Sequence, residues 1–99
     1  MHFVLAWEID APERRESEID KQMESCLKNY GWVRPLGNFY IVQVRNSKDY
    51  TRIQQCLTRI AEQFPNDDIN FIMGPLMKGG RYDGLLPEDT WEHTNEITG

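Results

Sequence analysis

The alternation of apolar and polar positions divides the chain into short segments of two periods. Residues 3–9, Phe-Val-Leu-Ala-Trp-Glu-Ile, are a brief apolar run rich in aromatic and branched side chains, the pattern of a buried strand. A helical stripe follows. Ile19, Met23, Cys26, Leu27 and Tyr30 recur at i, i+4, i+7, i+8 and i+11, with Glu, Asp, Lys and Gln on the outer face. Gly31, directly after Tyr30, stands where a helix C′ glycine is expected. A second stripe repeats the spacing at Ile53, Leu57, Ile60, Ala61 and Phe64, and Pro65 closes it. Each of these positions is its counterpart plus 34 (19 to 53, 23 to 57, 26 to 60). The same shift carries the first strand onto residues 37–43, Gly-Asn-Phe-Tyr-Ile-Val-Gln, which is itself strand-like. Trp32 to Leu36 and Ile69 to Met73 supply a strand after each helix, and Leu36, Gly37 and Asn38 form a tight connection.

The chain thus reads β-α-β twice. Two such units interleave into a ferredoxin-like βαββαβ fold of the α+β class, a four-stranded antiparallel sheet with two helices on one face. Residues 1–76 make this domain, and residues 77–99 form a C-terminal extension with the makings of an extra strand and a short acidic helix. Within the strands, Phe3, Leu5, Trp7 and Ile9 take one face while Val4 and Ala6 take the other, and Phe39 and Ile41 oppose Tyr40, Val42 and Val44. Both faces are apolar, yet two helices cover only one. The pattern predicts a homodimer through the open sheet face, with a chain that folds back after residue 74 as the alternative cover.

Composition narrows the class. At 99 residues, 39% hydrophobic and 11% aromatic, this is one globular domain. No apolar run approaches the roughly 20 residues that span a bilayer, and the N-terminus lacks the basic region of a signal peptide. A cytoplasmic protein with no membrane contact is the expectation. Cys26 and Cys56 share no motif and are expected as reduced thiols. The net charge of −5 argues against nucleic-acid binding through bulk electrostatics. Residues 88–99, however, hold Glu88, Asp89, Glu92 and Glu96 and no Lys or Arg. That leaves 12 acids (16 − 4) against 11 bases elsewhere, a near-neutral body on which a local basic patch is allowed.

Candidate chemistry gathers at the end of the first strand. Glu8 and Asp10 are carboxylates able to position water or a metal for phosphodiester attack. Asp10 with Glu13 also fits a helix capping box with Pro12 in the first turn, and Ser17 with Asp20 is a rival box. Glu8 has no such local role. Arg14 and Arg15 crowd the start of the first helix, where the dipole disfavours cations, a placement that suits pairing with Glu8, Glu18 or a phosphate. Arg34 and Arg45 belong to the hairpin strands and could extend a basic path with Tyr40, since an aromatic between cations suits a single-stranded nucleic acid. Cross-strand pairing with acids is their plainer role. Lys78 and Arg81 flank two glycines in the loop 74–84, where exposed amides and cations could cradle a phosphate, although the spacing fits no phosphate-loop motif. An extra strand or a connector is the other reading of that loop. Residues 87–97 read as an acidic helix that packs Trp91 on the body, and His2 and His93 stand alone.

Four pieces carry a resemblance: FVLAWEI (3–9), ERR (13–15), NYGWVRPLGNFYIVQV (29–44) and INFIMGPL (69–76). Together they resemble the small ferredoxin-like nucleases and their relatives, namely the small subunit of the CRISPR adaptation complex, virulence-associated protein D and the antitoxin GhoS. In that superfamily an Asp closes the first strand, two copies face each other, and a divalent metal can lie between them. The matching position here is Glu8. The resemblance implies a homodimeric, metal-dependent endoribonuclease acting on RNA or DNA, with Mg²⁺ or Mn²⁺ at Glu8 and an extra strand from 74–84 added to the partner's sheet. The competing class is a non-catalytic module that binds another protein: an antitoxin, immunity or regulatory protein. Net acidity, the acidic tail and the lack of a complete catalytic set favour it.

Overall fold

The computed structural model describes residues 1–99. Its elements are β1 (His2–Asp10), α1 (Glu13–Ser25), β2 (Gly31–Leu36), β3 (Phe39–Gln43), α2 (Ser47–Glu62), β4 (Asp68–Met73) and α3 (Glu88–Thr98). The four strands form one sheet in the order β2-β3-β1-β4, with every neighbouring pair antiparallel. This is the order that two interleaved β-α-β units produce, as the 34-residue repeat predicts.

The repeat is also visible in the packing. Ile19 and Met23 of α1, and their counterparts Ile53 and Leu57 of α2, are all buried. They pack on Phe3, Leu5, Trp7, Tyr40 and Val42, the inner face of the sheet. Full burial of one such side chain contributes about 1.5–3 kcal/mol. The side chain of Asn46 starts α2 by accepting the Asp49 N–H at 3.0 Å.

Two expectations are corrected here. First, α1 stops at Ser25, so Leu27 and Tyr30 pack from the turn that follows and not from a helix. Gly31 is consequently no helix cap: it opens β2, and the left-handed glycines are Gly79, Gly80 and Gly84. Second, Cys26 and Cys56 are not free thiols. The end of α1 lies against the middle of α2 with the two Cα atoms 5.8 Å apart, and the cysteines form a disulfide that spans 30 residues of sequence.

On the outer face of the sheet the chain after residue 74 folds back, the alternative cover. After β4 the chain stays beside β1, where the Gly74 N–H donates to the Val4 carbonyl at 2.7 Å. His2 and Met77 exchange two backbone hydrogen bonds of 2.9 Å, an isolated bridge in place of a full extra strand. Gly79 and Gly80, at φ +63° and +109°, lie where side-chain-bearing residues are disfavoured. Beyond them Tyr82 reaches back to the buried His2, with its hydroxyl 2.9 Å from Nε2. Helix α3 then contacts β2 and β3. Ile97 is buried with Val33 and Ile41, flanked by Val4, Phe39 and Tyr82. Half of the face expected to be open is therefore covered by the chain itself, and its apolar residues need no second copy to bury them.

Candidate functional site

What α3 leaves uncovered is the β1–β4 half. Register places Ala6 opposite Ile72, Glu8 opposite Asn70, and Asp10 opposite Asp68. Alternation puts all six on the outer face. Ile72 is 72% exposed, and Glu8, Asp10 and Asp68 are exposed carboxylates without an ion pair. A shallow cavity of about 240 Å³ lies over Ala6, Glu8, Asn38, Asn70 and Ile72. A neighbouring one of about 340 Å³ is lined by Glu8, Asp10, Asp68 and Asn70. Like charges directly opposite on paired strands repel, so the Asp10–Asp68 pair is unfavourable as it stands.

Asp10 is free to take part because it caps nothing. Helix α1 starts at Glu13 with Pro12 as its N-cap, and no side chain accepts a hydrogen bond there. The Pro12 carbonyl takes the Glu16 N–H at 2.8 Å, and neither the Asp10–Glu13 box nor the Ser17–Asp20 box forms.

The cations tell a different story from the one their spacing suggested. Arg15 forks onto Asp67, with contacts of 2.6 and 2.8 Å, and ties the start of α1 to the loop before β4. That hydrogen-bonded guanidinium holds the Asp67 carboxyl below its usual range. Arg34 reaches Asp20 at 3.0 and 3.2 Å, Glu24 at 3.2 Å and the Gly37 carbonyl. Its guanidinium carbon sits 4.9 Å from the centroid of the Tyr40 ring. Tyr40 itself is fully buried, stacks on Trp7 at 4.3 Å and donates to Glu24 at 2.7 Å. Burial, then the Glu24 hydrogen bond, drives its phenol far above the ordinary value. The indole N–H of Trp7 closes the network on Asp20 at 2.9 Å. Tyr40 therefore offers no stacking platform to a base, and Arg34 is held inside the network.

Arg45 turns onto the buried Asp49 at 3.2 Å, with Arg52 adding a contact at 3.7 Å, and the Arg45 hydrogen bonds lower the Asp49 carboxyl. Arg81 pairs with Asp83 at 3.2 Å in the loop after β4. Arg14 and Lys78 stay exposed without an ion pair, one on α1 and the other beyond β4. The residues expected to hold phosphate are spent on internal contacts or scattered.

No three His, Cys, Asp or Glu side chains stand together so as to hold an ion. Glu8 alone supplies one carboxylate, while Mg²⁺ demands near-octahedral oxygen coordination. Residues that sequence reading did not single out, Asp68, Asn70 and Ile72, complete the uncovered face. Period-two alternation along β4, combined with antiparallel pairing to β1, was the signal that would have found them.

No family model matches the chain, and no curated protein or solved structure matches it. No helix is long and apolar enough to cross a membrane.

Proposed function

We propose that the protein is a non-catalytic interaction module that takes a basic protein surface on the uncovered β1–β4 half of its sheet. The observation that carries this reading is the facing pair Asp10 and Asp68, two like charges in register with no cation of their own. A partner's Lys or Arg placed between them would relieve the repulsion, and Glu8 extends the same negative rim. Ile72 gives the rim an apolar centre, the usual anatomy of a protein contact. The net charge of −5 suits the same choice. The Cys26–Cys56 disulfide suits an oxidising compartment better than the cytoplasm.

Cross-linking in an extract of the source cells tests the reading. A partner with a basic surface is expected on the wild-type protein. It should be lost with Ile72→Asp or with the double change Asp10→Lys and Asp68→Lys, and kept with Arg14→Ala. Loss with Arg14→Ala and retention in the sheet variants would overturn it.

One observation favours the second reading, a homodimeric metal-dependent endoribonuclease. Glu8 is exposed on this face and bound to nothing, so two copies meeting there would bring two Glu8 carboxylates together. Incubation with single-stranded RNA, with and without Mn²⁺, separates the two. The first reading expects no cleavage, and Mn²⁺-dependent cleavage abolished by Glu8→Ala would install the second.

A further inference from the structure

The sheet has two outer edges, β2 and β4, and the chain guards only one. At the β2 edge Pro35 has no N–H to offer, Arg34 adds a charge, and the pairing with β3 slips between Val33 and Leu36. Proline, charge and an irregular register are devices that keep a sheet edge from taking another strand. From Ile69 to Met73, β4 has none of them. That run holds no Pro, no Gly and no charged side chain, and β4 pairs with β1 in unbroken register.

Register also says which backbone groups are unmet. The Gly74 N–H donates to the Val4 carbonyl, and the Trp7 N–H donates to that of Asn38 at 3.4 Å. Even-numbered residues of β1 therefore turn their backbone groups to β4, and odd-numbered ones turn theirs to β3. Asp68, Asn70 and Ile72 answer β1 from the other side. Ile69, Phe71 and Met73 point their N–H and C=O groups the opposite way, along an edge that no other strand occupies. Their side chains are half-buried on the inner face, while Asp68 and Ile72 stand exposed on the outer one. An extended segment laid antiparallel on this edge meets Ile72 first and the Asp68 carboxylate further along the same face. The free donors and acceptors suit a strand, and the unpaired Asp68, backed by Asp10, suits a cation on it. A second copy of β4 answers the first need only, because it adds the same carboxylates to the edge.

We infer that the free edge of β4 takes an extended basic segment of the partner protein as an added antiparallel strand, with a Lys or Arg opposite Asp68 and an apolar residue opposite Ile72. The inference rests on the basic-partner reading above and adds how that partner is held. The probe is the end-blocked peptide Lys-Thr-Ile-Val-Thr-Val-Arg-Lys, whose isoleucine falls opposite Ile72 and whose arginine falls opposite Asp68. Titrated into the full chain, it should bind saturably and slow amide hydrogen exchange at Ile69, Phe71 and Met73, read from ¹H–¹⁵N spectra. N-methylation of its two valines removes donors that face β4 and should weaken binding roughly ten-fold or more. N-methylation of its isoleucine and second threonine, whose N–H groups face away from β4, should leave the affinity nearly unchanged. Asp68→Lys should weaken the unmodified peptide by roughly three- to ten-fold. Equal affinity of the two methylated peptides, or unslowed exchange at the three edge amides, would overturn strand addition and leave the basic-partner reading standing. Binding that keeps its preference between the methylated peptides but ignores Asp68→Lys would sink the charge match and that reading together. No saturable binding of the unmodified peptide also overturns strand addition, and the cross-linking experiment then decides the reading by itself. A free protein that sediments as a dimer with these amides already protected would put a second copy on the edge instead.

Discussion

The two halves of the outer sheet face belong to one sheet and are treated in opposite ways. Over β2 and β3, Val33 and Ile41 are buried beneath Ile97. Over β1 and β4, Ile72 stands in solvent among Glu8, Asp10 and Asp68. The difference teaches that an apolar strand pattern on both faces does not by itself call for a second copy. One short helix after an exposed loop can close half a face and leave the rest for something else.

The largest effect that would break this comparison comes from matched truncations. Ile97→Ala should cost about 2–5 kcal/mol as a buried large-to-small change, whereas Ile72→Ala should stay within about 0.5 kcal/mol. Urea midpoints measure both, and equal costs would mean that α3 does not seal its half. Next comes the disulfide, which joins the two helices on the inner side of the sheet. Reducing it should lower stability by about 2–4 kcal/mol. Since it touches neither outer half, the gap between the Ile97 and Ile72 variants should survive reduction. A gap that closes on reduction would tie the cover to the helix layer.

The smallest effect sharpens the contrast through pH. His2, beneath Tyr82, has its pKa lowered from 6.5, first by burial and then by the nearby N-terminal amine. The unfolded chain takes up that proton more readily than the folded one. The associated stability is therefore full above about pH 6.5 and is lost as pH falls through the lowered folded value. Wild type should lose more stability than His2→Gln between pH 7.5 and pH 5, read from urea midpoints. Identical losses would show that His2 does not titrate with the cover.

The fold was legible because it rests on local periodicity. Ile19 and Met23, like Ile53 and Leu57, announce their buried face within four residues, and the 34-residue shift predicts the sheet order. The site was not, because its members meet only through pairing. Asp68 and Ile72 look ordinary until β4 is laid beside β1 in register. Arg34 pairs with acids as its plainer reading has it, yet its partners, Asp20 and Glu24, lie on a helix and not on a neighbouring strand, and the burial of Tyr40 follows only once α1 is placed over it. Asp10 was read as a cap from a spacing that many strand ends share, and the chain resolved that end with Pro12 instead. The cysteines carried no motif at all: only the packing of α1 on α2 brings them together.

That cross-link has one more consequence. It closes a covalent ring that contains the whole β2–β3 hairpin and the first part of α2. A protease nick at the exposed Gly37–Asn38 turn would leave two polypeptides that still travel as one molecule on a non-reducing gel and part only with reductant. A cut in the stretch between β4 and α3 has no such tether, so digestion there can set the cover free.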